Sequence, residues 1–215
     1  MGSNRFLYRG GEAEIEEKKS RFIAHTAGVR SEEEAQAFLS EMRKKYWDAR
    51  HNCHAFVIGG NPGLTHCSDD GEPAGTAGRP ILDVINGENL NGCIVVVTRY
   101  FGGTLLGTGG LVRAYQKAAR LGLEASVILE KKEAERFTLR TDYGSYGKIQ
   151  YFLAQEKIPI LGSRFTDRVE TEVLLPPEQK ESLLGALRDR TAGTIEIEEG
   201  PAASYALHEG NVILL

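Results

Sequence analysis

Two glycine-rich segments carry most of the residues that could do chemistry in this 215-residue chain. The first, residues 68–80, holds a cluster of carboxylates, and the second, residues 98–115, holds paired glycines between two arginines. Ten of the 25 glycines fall between Gly71 and Gly110. Because glycine is costly to order, this density predicts tight turns or a close approach of the backbone to another group.

The second segment predicts an anion site. A β-branched run at 93–97 leads into the glycines and then into a helical pattern over 109–124, so free N–H groups at the helix N-terminus face the glycine loop. Arg113 falls in or near the first turn, where a cation is disfavoured by about 0.3–1 kcal/mol unless a negative group lies between. Either a bound anion or a protein carboxylate would supply that charge.

The standard phosphate motifs do not fit the same segment. Gly102 and Gly107 have the spacing of a P-loop, but Thr108-Gly109 stands where a lysine and a serine or threonine are required. A nucleotide-hydrolysing P-loop is therefore not predicted. The glycines are interpreted either as sites where a helix and a strand pack closely or as contacts to a phosphate or nucleic-acid backbone.

The carboxylates of the first segment allow two interpretations. Carboxylate oxygens suit Mg²⁺ or Ca²⁺, but the ladder of an EF-hand is absent and no metal is assigned. Alternatively, the carboxylates pair with arginines of the two segments. The residues that we predict to form one binding surface are Asp69, Asp70, Glu72, Thr76, Arg79, Arg99, Gly102, Gly103, Gly107, Gly109 and Arg113.

Histidines and cysteines cluster at 51–54 and 66–67. Their spacings match no structural zinc pattern. Adjacent residues of a strand point to opposite faces, which disfavours a Cys–His nucleophile. Cys53, Cys67 and Cys93 show no CxxC spacing and predict free thiols in a reducing compartment. No cofactor, metal or catalytic residue is predicted.

A basic cluster interleaved with aromatics follows the first predicted helix, at Lys44, Lys45, Tyr46, Trp47, Arg50 and His51. This composition is compatible with an edge that faces RNA and is also typical of a solvated helix end. The net charge of −4 falls entirely in residues 135–215, whereas residues 1–134 are neutral. The first part of the chain is therefore the better candidate for contact with nucleic acid.

Targeting signals are not recognised in the sequence. No apolar run approaches the roughly 18 residues of a membrane span, and the N-terminus lacks the apolar core of a signal peptide. We therefore expect a cytoplasmic protein without a membrane partner.

The pattern of apolar residues predicts an α+β protein. In the first part it predicts strands at 12–17, 20–29, 53–58 and 93–97, and helices after the Ser31 capping box, at 79–87 and at 109–124. An extended, charged segment at 126–134 is predicted to be a linker. The rest predicts the ferredoxin-like order β-α-β-β-α-β, with Ser145 capping the first helix and Pro177 opening the second.

The chain resembles the YigZ-type bacterial branch of the IMPACT family, in four segments at 18–24, 51–55, 68–80 and 97–115. The resemblance implies two domains. Residues 1–130 would form a β/α sandwich like ribosomal protein S five domain 2, with helices on one face of a sheet. Residues 135–215 would form a ferredoxin-like domain similar to domains of elongation factor G.

The resemblance also implies a role. Both folds recur in translation proteins that bind RNA or ribosomes, and the eukaryotic members are linked to control of translation through a protein–protein contact. The predicted function is therefore non-enzymatic and translation-linked, with RNA, the ribosome or a translation-associated protein as partner. The alternative is a hydrolase-type enzyme, metal-assisted, that acts on a small phosphorylated or acidic substrate through Asp69 and Asp70.

Overall fold

A computed structural model describes residues 4–59 and 63–215 of the chain. The chain divides into two compact units, Met1–Glu130 and Lys131–Leu215. Within the described residues, no helix combines the length and the apolar character that crossing a membrane requires.

The first unit contains eight strands and three helices in its described part. In chain order they are β1 (Arg5–Arg9), β2 (Glu12–Glu17), β3 (Ser20–Gly28), α1 (Glu32–Lys45), β4 (His51–Ile58), β5 (Leu64–Ser68), α2 (Gly78–Gly87), β6 (Leu90–Asn91), β7 (Cys93–Tyr100), α3 (Thr108–Glu124) and β8 (Val127–Glu130). The main sheet is antiparallel and five-stranded, in the order β2-β3-β7-β4-β5. The sequence pattern predicted β2, β3, β4 and β7, but not the edge strand β5.

Strand β7 is the centre of the first unit, and its residues are buried on both faces of the sheet. Val95 and Val97 pack into the core that α2 and α3 share, whereas Ile94 and Val96 pack beside Leu39 of α1. The apolar run predicted a strand with two covered faces, and the structure confirms it. Because α1 covers the second face, helices lie on both faces, and the expectation of helices on one face is wrong.

A second, small sheet in the order β6-β1-β8 lies at the end of β3 that is remote from Ser20. There the backbone of β1 passes so closely that a Cβ at Gly28 would lie 2.4 Å from the Leu7 carbonyl oxygen. The segment at 126–134 is extended, as predicted, and the boundary of the two units lies within it, but it is not a free linker: β8 pairs with β1, and the next strand begins at Lys132. Leu129 and Ala134 are buried there, which a charged linker would not require.

The second unit is ferredoxin-like with one added strand. Its elements are β9 (Lys132–Thr141), α4 (Tyr143–Gln155), β10 (Ile160–Phe165), β11 (Val169–Leu175), a 3-10 turn at Pro177–Gln179, α5 (Lys180–Arg190), β12 (Glu196–His208) and β13 (Asn211–Leu214). The sheet order is β10-β11-β9-β12-β13, so the first four strands have the predicted split arrangement. Asp142, rather than Ser145, caps α4, because its carboxylate accepts from the Ser145 N–H at 2.8 Å.

The two ends of α2 give a matched test of close packing. A Cβ at Gly78 would lie 2.6 Å from the Ser68 carbonyl carbon, whereas nothing lies within 4 Å of a Cβ at Gly87. We expect Gly78→Ala to lower the free energy of unfolding by about 1–3 kcal/mol through overpacking. Gly87→Ala should raise it by about 0.4–1 kcal/mol because the unfolded chain loses freedom. Urea unfolding measures the free energy of unfolding of both variants. Equal effects of the two substitutions would contradict the close contact between Gly78 and Ser68.

Candidate functional site

The segments that carry the family resemblance meet at one end of the five-stranded sheet. Strand pairing sets Arg21 opposite Tyr100 and His51 opposite Arg99, so β3 and β4 begin where β7 ends. Strand β5 finishes at the same end, because Ser68 pairs with His54 near the start of β4. We call this region the signature end. It comprises the Lys18-Lys19 turn, the loops at 69–77 and 101–107, and the first turn of α3.

The Lys18-Lys19 turn lies against the second glycine segment. Both lysines are exposed and have positive φ, 48° and 66°. The Gly102 N–H donates to Ser20 Oγ at 3.1 Å, and a Cβ at Gly102 would lie 2.0 Å from the Lys19 carbonyl carbon. Only glycine fits that contact, so one glycine of the segment joins the two loops by close approach of backbones.

The remaining predicted glycines have other roles. Gly103 and Gly107 adopt φ of 83° and 73°, a region that favours glycine. Gly109 lies within α3 with an ordinary helical φ, and the nearest atom to a Cβ there is Arg113 Nη1 at 3.6 Å. Turn geometry therefore accounts for two of these glycines.

A buried ion pair lies beneath the loops. Arg99 Nη1 donates to Glu72 Oε1 at 2.7 Å, and the two side chains are only 7% and 3% exposed. The Tyr115 hydroxyl donates to the same carboxylate oxygen at 2.7 Å, and Arg99 Nη2 lies 3.4 Å from Ser20 Oγ. This pair ties the loop at 69–77 to β7, to α3 and to the start of β3.

Cys53 extends this network towards β4. Its Sγ lies 3.3 Å from the Tyr115 hydroxyl oxygen and 2.9 Å from the Asp69 carbonyl oxygen. Burial raises the pKa of the Cys53 thiol, and burial also raises the pKa of the Tyr115 hydroxyl. A thiol held neutral in this way lacks the thiolate form that a nucleophile needs.

Asp69 closes the N-terminus of α2. Its Oδ1 accepts from the N–H groups of Ala77 and Gly78 at 2.9 and 2.8 Å, and its Oδ2 accepts from Gly75 N–H at 2.8 Å. Burial opposes ionisation of this carboxyl, but the three backbone donors outweigh burial and hold its pKa below the ordinary value of 3.8. A protein carboxylate thus occupies the anion position of this helix.

The other polar residues of the first segment also have partners within the unit. Asp70 Oδ2 accepts from the Asn52 N–H at 2.7 Å, and its Oδ1 accepts from Arg43 at 3.1 Å. Thr76 Oγ1 donates to the Pro73 carbonyl oxygen at 2.7 Å. These contacts favour the interpretation in which the carboxylates are satisfied internally.

Arg79 lies apart from that network. Its guanidinium pairs with Asp83 at 2.8 Å on the exposed side of α2. The structure thus brings Glu72 and Arg99 together and leaves Arg79 and Arg113 separate from them.

The N-terminus of α3 differs from that of α2. Its N-cap, Gly107, supplies no side-chain hydrogen bond, and its first turn holds no acidic residue. The exposed Arg113 reaches back over this turn, with Nη1 3.6 Å from the Cβ position of Gly109. Within residues 4–59 and 63–215, no carboxylate pairs with Arg113, Lys18 or Lys19. These three cations are therefore exposed without an ion-pair partner at the signature end, although the exposed Glu16 and Glu17 directly precede the lysine turn.

Sequence reasoning missed two members of the buried network, Ser20 and Tyr115. Both lie inside segments that carried the family resemblance, which was the available signal. Ser20 is a short polar residue at the start of a strand, and Tyr115 lies on the apolar face of a helix. Neither position suggested a hydrogen-bond partner. The structure assigns them by contact: Ser20 accepts from Arg99 and Gly102, and Tyr115 links Glu72 to Cys53.

Removing one partner of the buried pair should cost far more than removing an exposed partner. Arg99→Met leaves the Glu72 carboxylate buried without its cation, and we expect a loss of about 3–5 kcal/mol in the free energy of unfolding. Arg79→Met, which breaks an exposed i,i+4 pair, should cost about 0.5 kcal/mol or less. Urea denaturation compares the two variants, and the double variant Arg99→Met/Glu72→Gln should recover part of the loss. A small effect at Arg99 would show that the pair is not a structural requirement.

The Asp69 cap predicts a pH dependence of stability. Because the folded-state pKa lies below the unfolded value near 3.8, the stabilisation is present above that pH and is lost as pH falls through the folded pKa. At pH 7, Asp69→Asn should lower the free energy of unfolding by about 1–2 kcal/mol. The difference from wild type should shrink below about pH 4. Asp83→Asn, on the exposed side of α2, is the control, and a difference that stays constant down to pH 2 would refute the charge effect.

Known protein families match both units of this chain. The Impact N-terminal domain family matches residues 18–123, and a domain of unknown function, DUF1949, matches residues 139–194. IMPACT family member YvyE of Bacillus subtilis (strain 168) is 40% identical over 190 residues, which are 88% of this chain and 88% of that protein. IMPACT family member YigZ of Escherichia coli (strain K12) is 38% identical over 185 residues, 84% of this chain and 89% of that protein.

A solved structure is similar to this chain over nearly its whole length. A crystal structure of a hypothetical protein is 34% identical, covers 94% of this chain and 98% of its own, and has a TM-score of 0.59. The matched domain at residues 18–123 contains all four segments of the signature end. The chain therefore belongs to the IMPACT family.

Proposed function

We propose that this protein is a translation-linked regulator that binds RNA, free or in the ribosome, through the signature end of its first unit. The link to translation rests on the family, whose eukaryotic members are connected with control of translation. The observation that supports RNA as the partner is a set of exposed positive groups at the signature end that have no ion-pair partner among the described residues. These groups are Lys18, Lys19, Arg113 and the uncapped N-terminus of α3.

Phosphate is the ligand chemistry that this surface fits. The first N–H groups of α3 are donors without a side-chain cap, and the helix dipole adds positive potential at the same place. The Arg113 guanidinium lies over that turn. A phosphate oxygen bound there would satisfy both the N–H groups and the guanidinium, whereas the N-terminus of α2 already has Asp69.

A nucleic-acid backbone suits the site better than a single small anion. The Lys18-Lys19 turn contacts Gly102 near the start of the loop at 101–107, and Arg113 lies in the helix that follows the loop. Cations thus stand near both ends of the glycine loop, as a chain of phosphates would require. The enzymatic alternative gains no support here, because Asp69 and Asp70 already accept hydrogen bonds from the backbone and from Arg43.

Salt dependence tests this proposal directly. We expect labelled single-stranded RNA to bind with a negative slope of log affinity against log salt. Arg113→Gln should weaken binding and reduce the magnitude of that slope by about 0.7, the value for one phosphate contact on a single strand. Lys18→Gln/Lys19→Gln should reduce it by about 1.4. Fluorescence anisotropy over a salt series gives both quantities.

The control is Arg30→Gln, an exposed cation beyond the opposite end of β3, which should leave affinity and slope unchanged. Arg113→Lys should keep most of the binding because it keeps the charge. Co-sedimentation with ribosomes at low salt extends the test to translation, with Arg113→Gln again weaker than wild type. Absence of RNA binding at low salt, or equal losses in Arg30→Gln, would overturn the proposal.

A further inference from the structure

We propose that the signature end takes single-stranded RNA in particular, and that Trp47 and Phe101 are the side chains on which its unpaired bases stack. This inference rests on the proposed function and specifies its substrate class. The cations of the signature end contact phosphates, which duplex and single-stranded RNA both present. The two aromatic side chains require exposed base faces, which only unpaired nucleotides offer.

Both aromatic side chains are unusually open to solvent. Trp47 is 83% exposed and Phe101 is 55% exposed. Leu105, in the same glycine loop as Phe101, is 83% exposed. In the described part of the first unit, these three make up most of the large apolar residues that are exposed, the others being Tyr8 and Leu64. Large apolar side chains that are this open to solvent are candidates for contact with a partner.

The two segments that carry these aromatics are in contact. Trp47 follows Tyr46 directly, and Phe101 follows Tyr100 directly. The rings of Tyr46 and Tyr100 meet edge to face with centroids 6.5 Å apart, and the Tyr100 hydroxyl donates to Asp48 at 2.6 Å. The turn after α1 is therefore attached to the end of β7. Each exposed aromatic is one residue away from that contact.

Phe101 also rests on a rigid base. The Arg99 guanidinium carbon lies 5.5 Å from the centre of the Phe101 ring, and Arg99 is itself fixed by Glu72. A ring ordered in this way loses little freedom when a base stacks on its exposed side, which favours affinity. The buried ion pair thus connects the interior of the unit to the proposed binding surface.

Charge next to the aromatics favours a nucleic acid over a protein partner. Lys44 and Arg50 flank Trp47 in the sequence, and the Lys18-Lys19 turn contacts the residue after Phe101. These four cations are exposed, and among the described residues none has an ion-pair partner. Aromatic platforms beside a track of cations are the arrangement that binds single strands without strong sequence preference. An acidic protein segment is the competing occupant, and the test below identifies it.

Trp47 is the single tryptophan of the chain, so its emission reports on stacking directly. We expect a 20-nucleotide single-stranded RNA to quench and shift the tryptophan emission of the full-length protein in a saturable way. A duplex of the same sequence and an abasic oligomer with the same number of phosphates should bind more weakly and leave the emission nearly unchanged. An acidic peptide that changed the emission at lower concentration than the RNA would assign the surface to a protein partner.

Substitutions separate stacking from charge. Trp47→Ala and Phe101→Ala should each weaken single-strand binding by about 5- to 150-fold, as loss of one base–aromatic contact does, and should leave the salt slope unchanged. Trp47→Phe and Phe101→Tyr should retain most of the affinity. Tyr8→Ala, an aromatic substitution at the opposite end of the sheet, should have no effect. Circular dichroism and urea unfolding establish that each variant is folded.

The outcomes distinguish this inference from the proposed function. If RNA binds with a salt slope that depends on Arg113, but duplex and single strand bind equally and Trp47→Ala binds like wild type, the stacking inference is overturned. The proposed function then stands. If no RNA binds at low salt, the proposed function is overturned, and the stacking inference that rests on it is overturned as well. A single-strand preference that is lost in both alanine variants, with the slope retained, establishes the inference.

Discussion

The buried Glu72–Arg99 ion pair is the interaction on which the first unit depends most. Two charges removed from water are costly unless each is paired and hydrogen-bonded, and here the carboxylate is bound by both the guanidinium and the Tyr115 hydroxyl. Glu72 lies in a loop, Arg99 lies near the end of the central strand, and Tyr115 lies on α3. The pair therefore holds three separate parts of the chain in one arrangement. The loops above it can then be rich in glycine without losing their positions.

The loops use that support in two different ways. One helix N-terminus, that of α2, is closed by Asp69, so its positive end is already neutralised inside the protein. The other, that of α3, is left open beneath Arg113. Two similar strand–loop–helix segments thus differ: the first has a helix N-terminus closed by a carboxylate, and the second has a helix N-terminus without a side-chain cap. Exposed Phe101 directly precedes Gly102, which contacts the Lys18-Lys19 turn, and the Phe101 ring lies over the guanidinium of the buried arginine.

Much of the fold could be predicted because its signals are local. Periodic apolar residues and the Ser31 cap marked the helices, and the uninterrupted run at 93–97 marked the central strand. The short strands β1, β5, β6 and β8 were missed, since each is defined by hydrogen bonds to a partner distant in sequence rather than by a pattern of its own. The segment at 126–134 looked like a linker for the same reason: its charge is visible in the sequence, but its pairing is not.

The sequence by itself determined the family, the α+β class and the ferredoxin-like order of the second unit, and it marked the two glycine segments as the place where charged residues gather. Only the tertiary structure decided which of those residues pair with each other, which close a helix and which stay exposed. Glu72 and Arg99 are buried together, Asp69 closes a helix, and Arg113 is left at an open one. The physical reason is that pairing and burial depend on which strands lie side by side. A carboxylate in the sequence can neutralise an arginine, a helix end or a ligand, and the three choices look identical until the backbone places the donors around it.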